Sequence, residues 1–198
     1  MPSLSESRLS AIAPTSSESL PDRATETILL SLGSNIEPDE HLPLACILLA
    51  MRIEILAVSR VFETAPMGIG DRTCFLNAAI EVRSDVTARE LKYEILRPVE
   101  RQLGRRRTAD RNAPRTIDVD ISLIGQRIVE DRGAGILIPD PEILTRAHVA
   151  VPLADVAPER LHPVSGERLR EIAARLDDRG IQERADLDLL ARKGLATS

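Results

Sequence analysis

Apolar residues fall without period through residues 1–27, a stretch rich in Ser, Glu, Pro and Ala, which predicts a disordered leader. Pattern begins at Ile28-Leu29-Leu30-Ser31-Leu32, an apolar run stopped by Gly33-Ser34-Asn35 that reads as a strand. Asp39 precedes a helical stretch reaching Met51. Ile53 to Phe62 reads as a second strand, Thr64 to Thr73 as a loop, and Cys74 to Val82 as a third strand. Thr87 and Glu90 have capping-box spacing. Leu91, Ile95, Val99 and Leu103 then recur every four residues, the stripe of a helix that Gly104 ends. Pro98 lies inside this helix and predicts a kink. Ile117 to Ile124 is a fourth strand, and Arg127 to Ile138 a weaker extended stretch. Thr145 to Ala154 and Gly166 to Leu176 predict helices. The last twenty residues predict a charged, loosely attached helix.

Strand, helix, strand, strand, helix, strand is the order of the split βαβ, an α+β ferredoxin-like sandwich, here with extra C-terminal helices. Two helices cover one face of its antiparallel sheet and leave the other for a site. The domain is expected over 28–177, followed by a charged tail over 178–198.

Composition narrows the class. Hydrophobic residues are 43% of the 198, but aromatics only 2%, so Leu, Ile, Val and Ala must build the core. A net charge of −5 argues against nucleic-acid binding over the whole surface. Cys46 and Cys74 have no metal spacing and read as buried thiols of a reducing compartment. No secretory pattern opens the chain, and the longest apolar run, Leu44 to Met51, is too short to span a membrane. A cytoplasmic monomer is the expectation.

The densest chemical signal runs from Arg105 to Ile121. Arg105, Arg106, Arg107, Arg111 and Arg115 precede Asp118 and Asp120, which are two apart on a strand and share a face. Ile117, Val119 and Ile121 then point to the core. Paired carboxylates repel unless a cation lies between them. An oxygen set of this kind suits Mg²⁺, and arginine forks suit phosphate oxygens. These are the parts that phosphoryl transfer needs. No P-loop motif is present. A solvated arginine loop before two surface carboxylates would share this composition, but the apolar alternation around the aspartates favours a site. Base stacking on sheet aromatics is poorly served by one Tyr and two Phe.

The run Ala113-Pro114-Arg115-Thr116-Ile117-Asp118-Val119-Asp120-Ile121 resembles the signature of the 6-hydroxymethyl-7,8-dihydropterin pyrophosphokinase family of folate biosynthesis. Leu32-Gly33-Ser34-Asn35, Glu63-Thr64-Ala65-Pro66-Met67-Gly68, Phe75-Leu76-Asn77-Ala78, Leu103-Gly104-Arg105 and Val151-Pro152-Leu153 are similar to its other segments, in order. The likeness covers about Ile28 to Leu176.

It implies that Asp118 and Asp120 hold two Mg²⁺ ions on ATP, and that Arg105 and Arg115 stabilise the transferring group. Glu100, Arg107, Arg111, Arg115, Ile121, Asp140 and Arg146 would serve the nucleotide. Thr64, Ala65, Met67, Phe75, Asn77 and His148 would serve a reduced pterin, whose hydroxymethyl oxygen attacks the β-phosphorus of ATP. The chain departs from the family pattern at Asp140, where His is usual, at Asn112, where Trp is frequent, at His148, where an aromatic ring is frequent, and at Gly70. A non-catalytic pterin- or nucleotide-binding relative and the same chemistry on a related pterin are the other readings. Retention of Arg105, Arg115, Asp118 and Asp120 together favours catalysis.

Overall fold

Alternation decides how the first strand packs. In β1 (Glu26–Ser34), Ile28, Leu30 and Leu32 are buried on one side, and Leu29 on the other. The computed structural model, which describes residues 25–64, 74–107 and 113–189, places β1 inside an antiparallel sheet, paired on both sides. It continues through α1 (Pro38–Ala50), β2 (Glu54–Val58), β3 (Phe62–Thr64) and β4 (Phe75–Ser84). Next come α2 (Ala88–Glu90), a π turn (Leu91–Leu96) and α3 (Arg97–Gln102) in one continuous helical stretch, then β5 (Asp118–Ile124). A hairpin of β6 (Val129–Asp131) and β7 (Ile136–Ile138) leads to a 3₁₀ turn (Pro141–Leu144), α4 (Ala147–Val156), α5 (Leu169–Arg175) and β8 (Ile181–Glu183).

The sheet order is β5-β1-β4-β3-β8, with β2 also pairing β4, which is the ferredoxin-like arrangement with one added strand. The main core lies between the sheet and the helices α1, α2 and α3. Leu42, Cys46, Leu49, Leu91, Leu96 and Val99 meet Ile28, Leu30, Leu32 and Ile80 there. Each such side chain removed from water contributes roughly 1.5–3 kcal/mol.

The capping box at Thr87 is present: its side chain accepts from Glu90 N–H, and its own N–H donates to Glu90. Pro98 has a structural explanation. Arg97 N–H donates to the Lys92 carbonyl five residues back, so the helix widens into a π turn just before the proline that lacks an N–H.

Four expectations need correction. The second face of the sheet is not left open. Val149, Ala150 and Leu153 of α4 and Leu169 and Ile172 of α5 pack on Leu29, Ala79 and Leu123, so only one end of that face remains for a site. The second strand is broken, because the Ser59 hydroxyl takes the Ala79 N–H at 2.8 Å and Arg60 N–H turns to Asp155 on α4. Cys74 is only half-buried, at a strand end. The expected terminal helix is absent over the described residues. Ile181–Glu183 pairs with the edge strand β3 instead, and Leu189 is buried in the main core, because a short unpaired edge and two leucines offer more than a solvated helix.

Candidate active site

The turn after β1 fixes the approach to β5. Asn35 accepts Arg115 N–H through Oδ1 at 2.6 Å, and the Asn35 and Ile36 amides donate back to the Arg115 carbonyl at 3.0 and 3.1 Å. Ser34 Oγ donates to the Thr116 carbonyl at 2.5 Å. The Leu32-Gly33-Ser34-Asn35 segment thus clamps the arginine that precedes the two aspartates. Ile117, just before β5, and Val119 and Ile121 within it are buried, and Asp118 and Asp120 face the cleft.

Asp118 is held by two guanidinium groups. Arg115 donates to its Oδ2 at 2.5 Å and Arg105 to the same oxygen at 3.4 Å. Arg115 also lies 5.8 Å from the Phe75 ring centroid, so one arginine links carboxylate and aromatic wall. Glu100 lies beneath β5 and does not line the cleft. Its Oε1 accepts Val119 N–H at 3.1 Å and its Oε2 accepts Arg107 at 2.6 Å. Burial raises its carboxyl above the usual range, opposed by the Val119 amide and Arg107. Glu100 therefore touches the peptide between the two aspartates and a loop arginine, rather than occupying the cleft wall.

Asp120 meets the solvent of the cleft, but its walls crowd it. Desolvation there, then the charges of Asp118, Asp140 and Glu100, push its carboxyl up to about 7, against the opposing charge of Lys92. Among the described residues no three His, Cys, Asp or Glu side chains close around one metal point. Mg²⁺ takes only one or two carboxylates and completes its shell with water and phosphate oxygens. Two aspartates on one strand face, one of them destabilised by negative charge, fit such a cation.

The opposite wall comes from β4 and β3. Phe75 and Asn77 share a face, and Asn77 Nδ2 donates to Thr64 Oγ1 at 3.1 Å. Phe75, Asn77, Thr64 and His148 all line one cleft of about 790 Å³ with Arg105, Arg107, Arg115, Asp118 and Asp120. Desolvation lowers the His148 imidazole below its ordinary value, which keeps it neutral. Ile121, Asp140 and Arg146 line the same cleft. Asp140 Oδ1 caps the 3₁₀ turn by accepting Glu142 N–H at 2.9 Å, and burial raises its carboxyl. Ala65, Met67, Gly70, Arg111 and Asn112 lie outside the described residues.

Sequence reasoning missed Lys92, which lines the cleft and donates from Nζ to the Gly135 carbonyl at 2.5 Å. Its position off the apolar helical stripe gave no sign of that. It also missed the structural part of Asn35, although the turn motif contained it.

A family model described as 7,8-dihydro-6-hydroxymethylpterin-pyrophosphokinase (HPPK) matches residues 29–158. A 2-amino-4-hydroxy-6-hydroxymethyldihydropteridine pyrophosphokinase of Methylorubrum extorquens is 36% identical over 131 residues, 66% of this chain and 78% of that one. The enzyme of that name from Porphyromonas gingivalis is 36% identical over 141 residues, covering 69% of this chain and 93% of its own. The folic acid synthesis protein fol1 of Pneumocystis carinii is 31% identical over 159 residues, but this chain spans only 21% of its length. A crystal structure of Plasmodium falciparum HPPK-DHPS superposes with a TM-score of 0.57 at 14% identity, over 78% of this chain and 45% of that one, a likeness of fold.

Proposed function

Because the chain belongs to the 7,8-dihydro-6-hydroxymethylpterin-pyrophosphokinase family, we propose that it transfers the pyrophosphoryl group of ATP to the hydroxymethyl group of 6-hydroxymethyl-7,8-dihydropterin. The products are the pterin diphosphate and AMP, a step of folate biosynthesis. The observation that carries this reading is the placement of Asp118 with Arg105 and Arg115 across one strand position from Asn77 and Phe75. Phosphate chemistry and a flat heterocycle are both provided for within one cleft.

In this reading Phe75 stacks on the pterin, Asn77 and the backbone near Thr64 meet its edge, and His148 closes the far side as a neutral ring. Asp118 and Asp120 would hold two Mg²⁺ ions, which supply charge neutralisation on the ATP phosphates when bound. Arg105 and Arg115 aim donors at the same place and stabilise charge on the transferring oxygens, with Arg107 lining the same cleft and Arg111 assigned to assist them. Arg146, Ile121 and Asp140 bound the nucleotide, and Glu100 supports it indirectly by holding Arg107. The hydroxymethyl oxygen attacks the β-phosphorus. The bond from that phosphorus to the α,β-bridging oxygen breaks, AMP leaves, and the hydroxyl proton goes to cleft water. Protein groups position and neutralise and form no covalent intermediate. All of them come from one copy of the chain, so a monomer suffices.

AMP release from ATP and Mg²⁺ should depend on added 6-hydroxymethyl-7,8-dihydropterin. AMP formation that ignores the pterin would overturn the reading. Pterin binding without any AMP release would assign the non-catalytic alternative.

A further inference from the structure

The segment beyond residue 158 lies outside the family match, yet it reaches the pterin side of the cleft. We propose that residues 181–189 position that wall, with Arg184 as the positioning residue. The inference rests on the assignment of Thr64, Phe75 and Asn77 to the pterin.

β3 has only three residues, and β4 pairs it on one side. β8 pairs its other side, with Ile181 opposite Thr64 and Glu183 opposite Phe62. Thr64 is the residue whose hydroxyl accepts the Asn77 amide. Without β8, Thr64 would end a three-residue edge strand, the kind of element that frays.

Side chains reinforce the pairing in both directions. Arg184 donates to Glu63 of β3 at 3.1 Å and to Asp39 of α1 at 2.8 Å, while its backbone N–H takes the Val61 carbonyl at 2.9 Å. Its Nε and Nη2 also donate to Asp186, so all three guanidinium nitrogens are engaged. Arg60 answers from the β3 side, bonding Glu183 of β8 at 2.6 Å and Asp155 of α4. Leu187 and Leu189 then pack on the main core, so the segment is anchored at its far end as well. Isolated surface pairs contribute little. Here one partly buried arginine, directly after β8, joins β3 and α1 to its own segment, and the geometry it holds belongs to the cleft.

The test compares Arg184→Ala, Arg184→Lys and, as a control, Arg179→Ala, whose ion pair closes on Asp177 two residues away. KM for the reduced pterin should rise on the order of tenfold in Arg184→Ala, as expected for a displaced binding wall. KM for ATP and kcat should stay near wild type. Arg184→Lys should recover part of the loss, since an ammonium reaches one carboxylate but cannot span two. Arg179→Ala should match wild type. Amide exchange at Glu63 and Thr64 should quicken in Arg184→Ala without ligand. An unchanged pterin KM, an equal rise in both KM values, or unchanged exchange at Thr64 overturns the proposal. A wild type that releases no AMP would defeat the parent reading instead, and the exchange measurement would still decide this one. Should Arg184→Ala fail to fold, Glu63→Gln, which keeps the edge pairing, carries the same comparison.

Discussion

Asn77 and Asp118 are both register partners of Gly33, so amide and carboxylate flank a strand position that has no side chain. The bare position leaves the cleft floor continuous from the aromatic wall to the paired aspartates.

Gly33 should therefore matter for ligands more than for folding. A Cβ there would lie 3.7 Å from Asn77 Oδ1, an ordinary contact, and the backbone is extended. Gly33→Ala should keep or slightly raise Tm, since glycine costs a strand roughly 0.5–1 kcal/mol. Gly33→Val should raise KM for substrate several-fold by filling the floor. Melting curves and steady-state kinetics check this, and a valine variant with normal KM would contradict it.

The two aspartates should separate stability from turnover. Asp120 is opposed by Asp118, Asp140 and Glu100, so Asp120→Asn should melt at or above the wild-type temperature without metal. Asp118→Asn takes the carboxylate from Arg105 and Arg115 and should cost about 1–3 kcal/mol. Each should lower kcat by roughly a hundredfold or more. Calorimetry without metal, paired with AMP assays, reads both quantities. Equal destabilisation by the two changes would refute the charge argument.

Asp140 serves as a cap and also adds negative charge to the cleft. Asp140→Asn keeps a side-chain acceptor for Glu142 N–H and removes the charge. ATP should bind more tightly by an amount on the order of 1 kcal/mol, with Tm nearly unchanged. Asp140→Ala should lose roughly 0.5–2 kcal/mol of stability with the cap. Nucleotide titration against both variants distinguishes charge from cap.

His162 gives the fold an acid dependence. It is buried, and its Nδ1 accepts the Val164 and Ser165 amides at 3.4 and 3.2 Å, which only an unprotonated nitrogen can do. Burial, against the opposing charge of Glu167, lowers it below the ordinary 6.5. The unfolded chain therefore takes up the proton first. Stability is full above that ordinary value and is lost as pH falls through it. The raised Asp120 carboxyl acts in the opposite sense over this range, so the comparison is made in an Asp120→Asn background, where Tm should drop between pH 7 and pH 5. His162→Asn, which keeps an acceptor, should flatten the drop and leave the share due to His148, whose shift has the same sign. An unaltered slope in the variant would exclude His162 as its source.

Short-range pattern carried much of the architecture into view. The apolar run at Ile28–Leu32, the Thr87/Glu90 box and the four-residue stripe from Leu91 to Leu103 all lie where the structure has β1 and the α2–α3 stretch. Period two in β5 put Asp118 and Asp120 on one face, because a strand must alternate. The family match over 29–158 agrees with the motifs that the residues themselves displayed.

What the linear order could not give was every feature set by partners far apart in the chain. The break at Ser59 depends on Ala79 and Asp155, and the covering of the second face on α4 and α5. The withdrawal of Glu100 beneath β5 depends on the Val119 amide nineteen residues later. The C-terminal strand had no strong β pattern of its own. It forms because β3 presents an unpaired edge and Arg184 finds Glu63 and Asp39 there. Local periodicity and motif chemistry were enough to determine β1, the helical stretch before β5, the paired carboxylates and the arginines beside them. Only tertiary structure decided which of those side chains share the cleft, because hydrogen bonds and burial between distant segments are satisfied in three dimensions and leave no period in one.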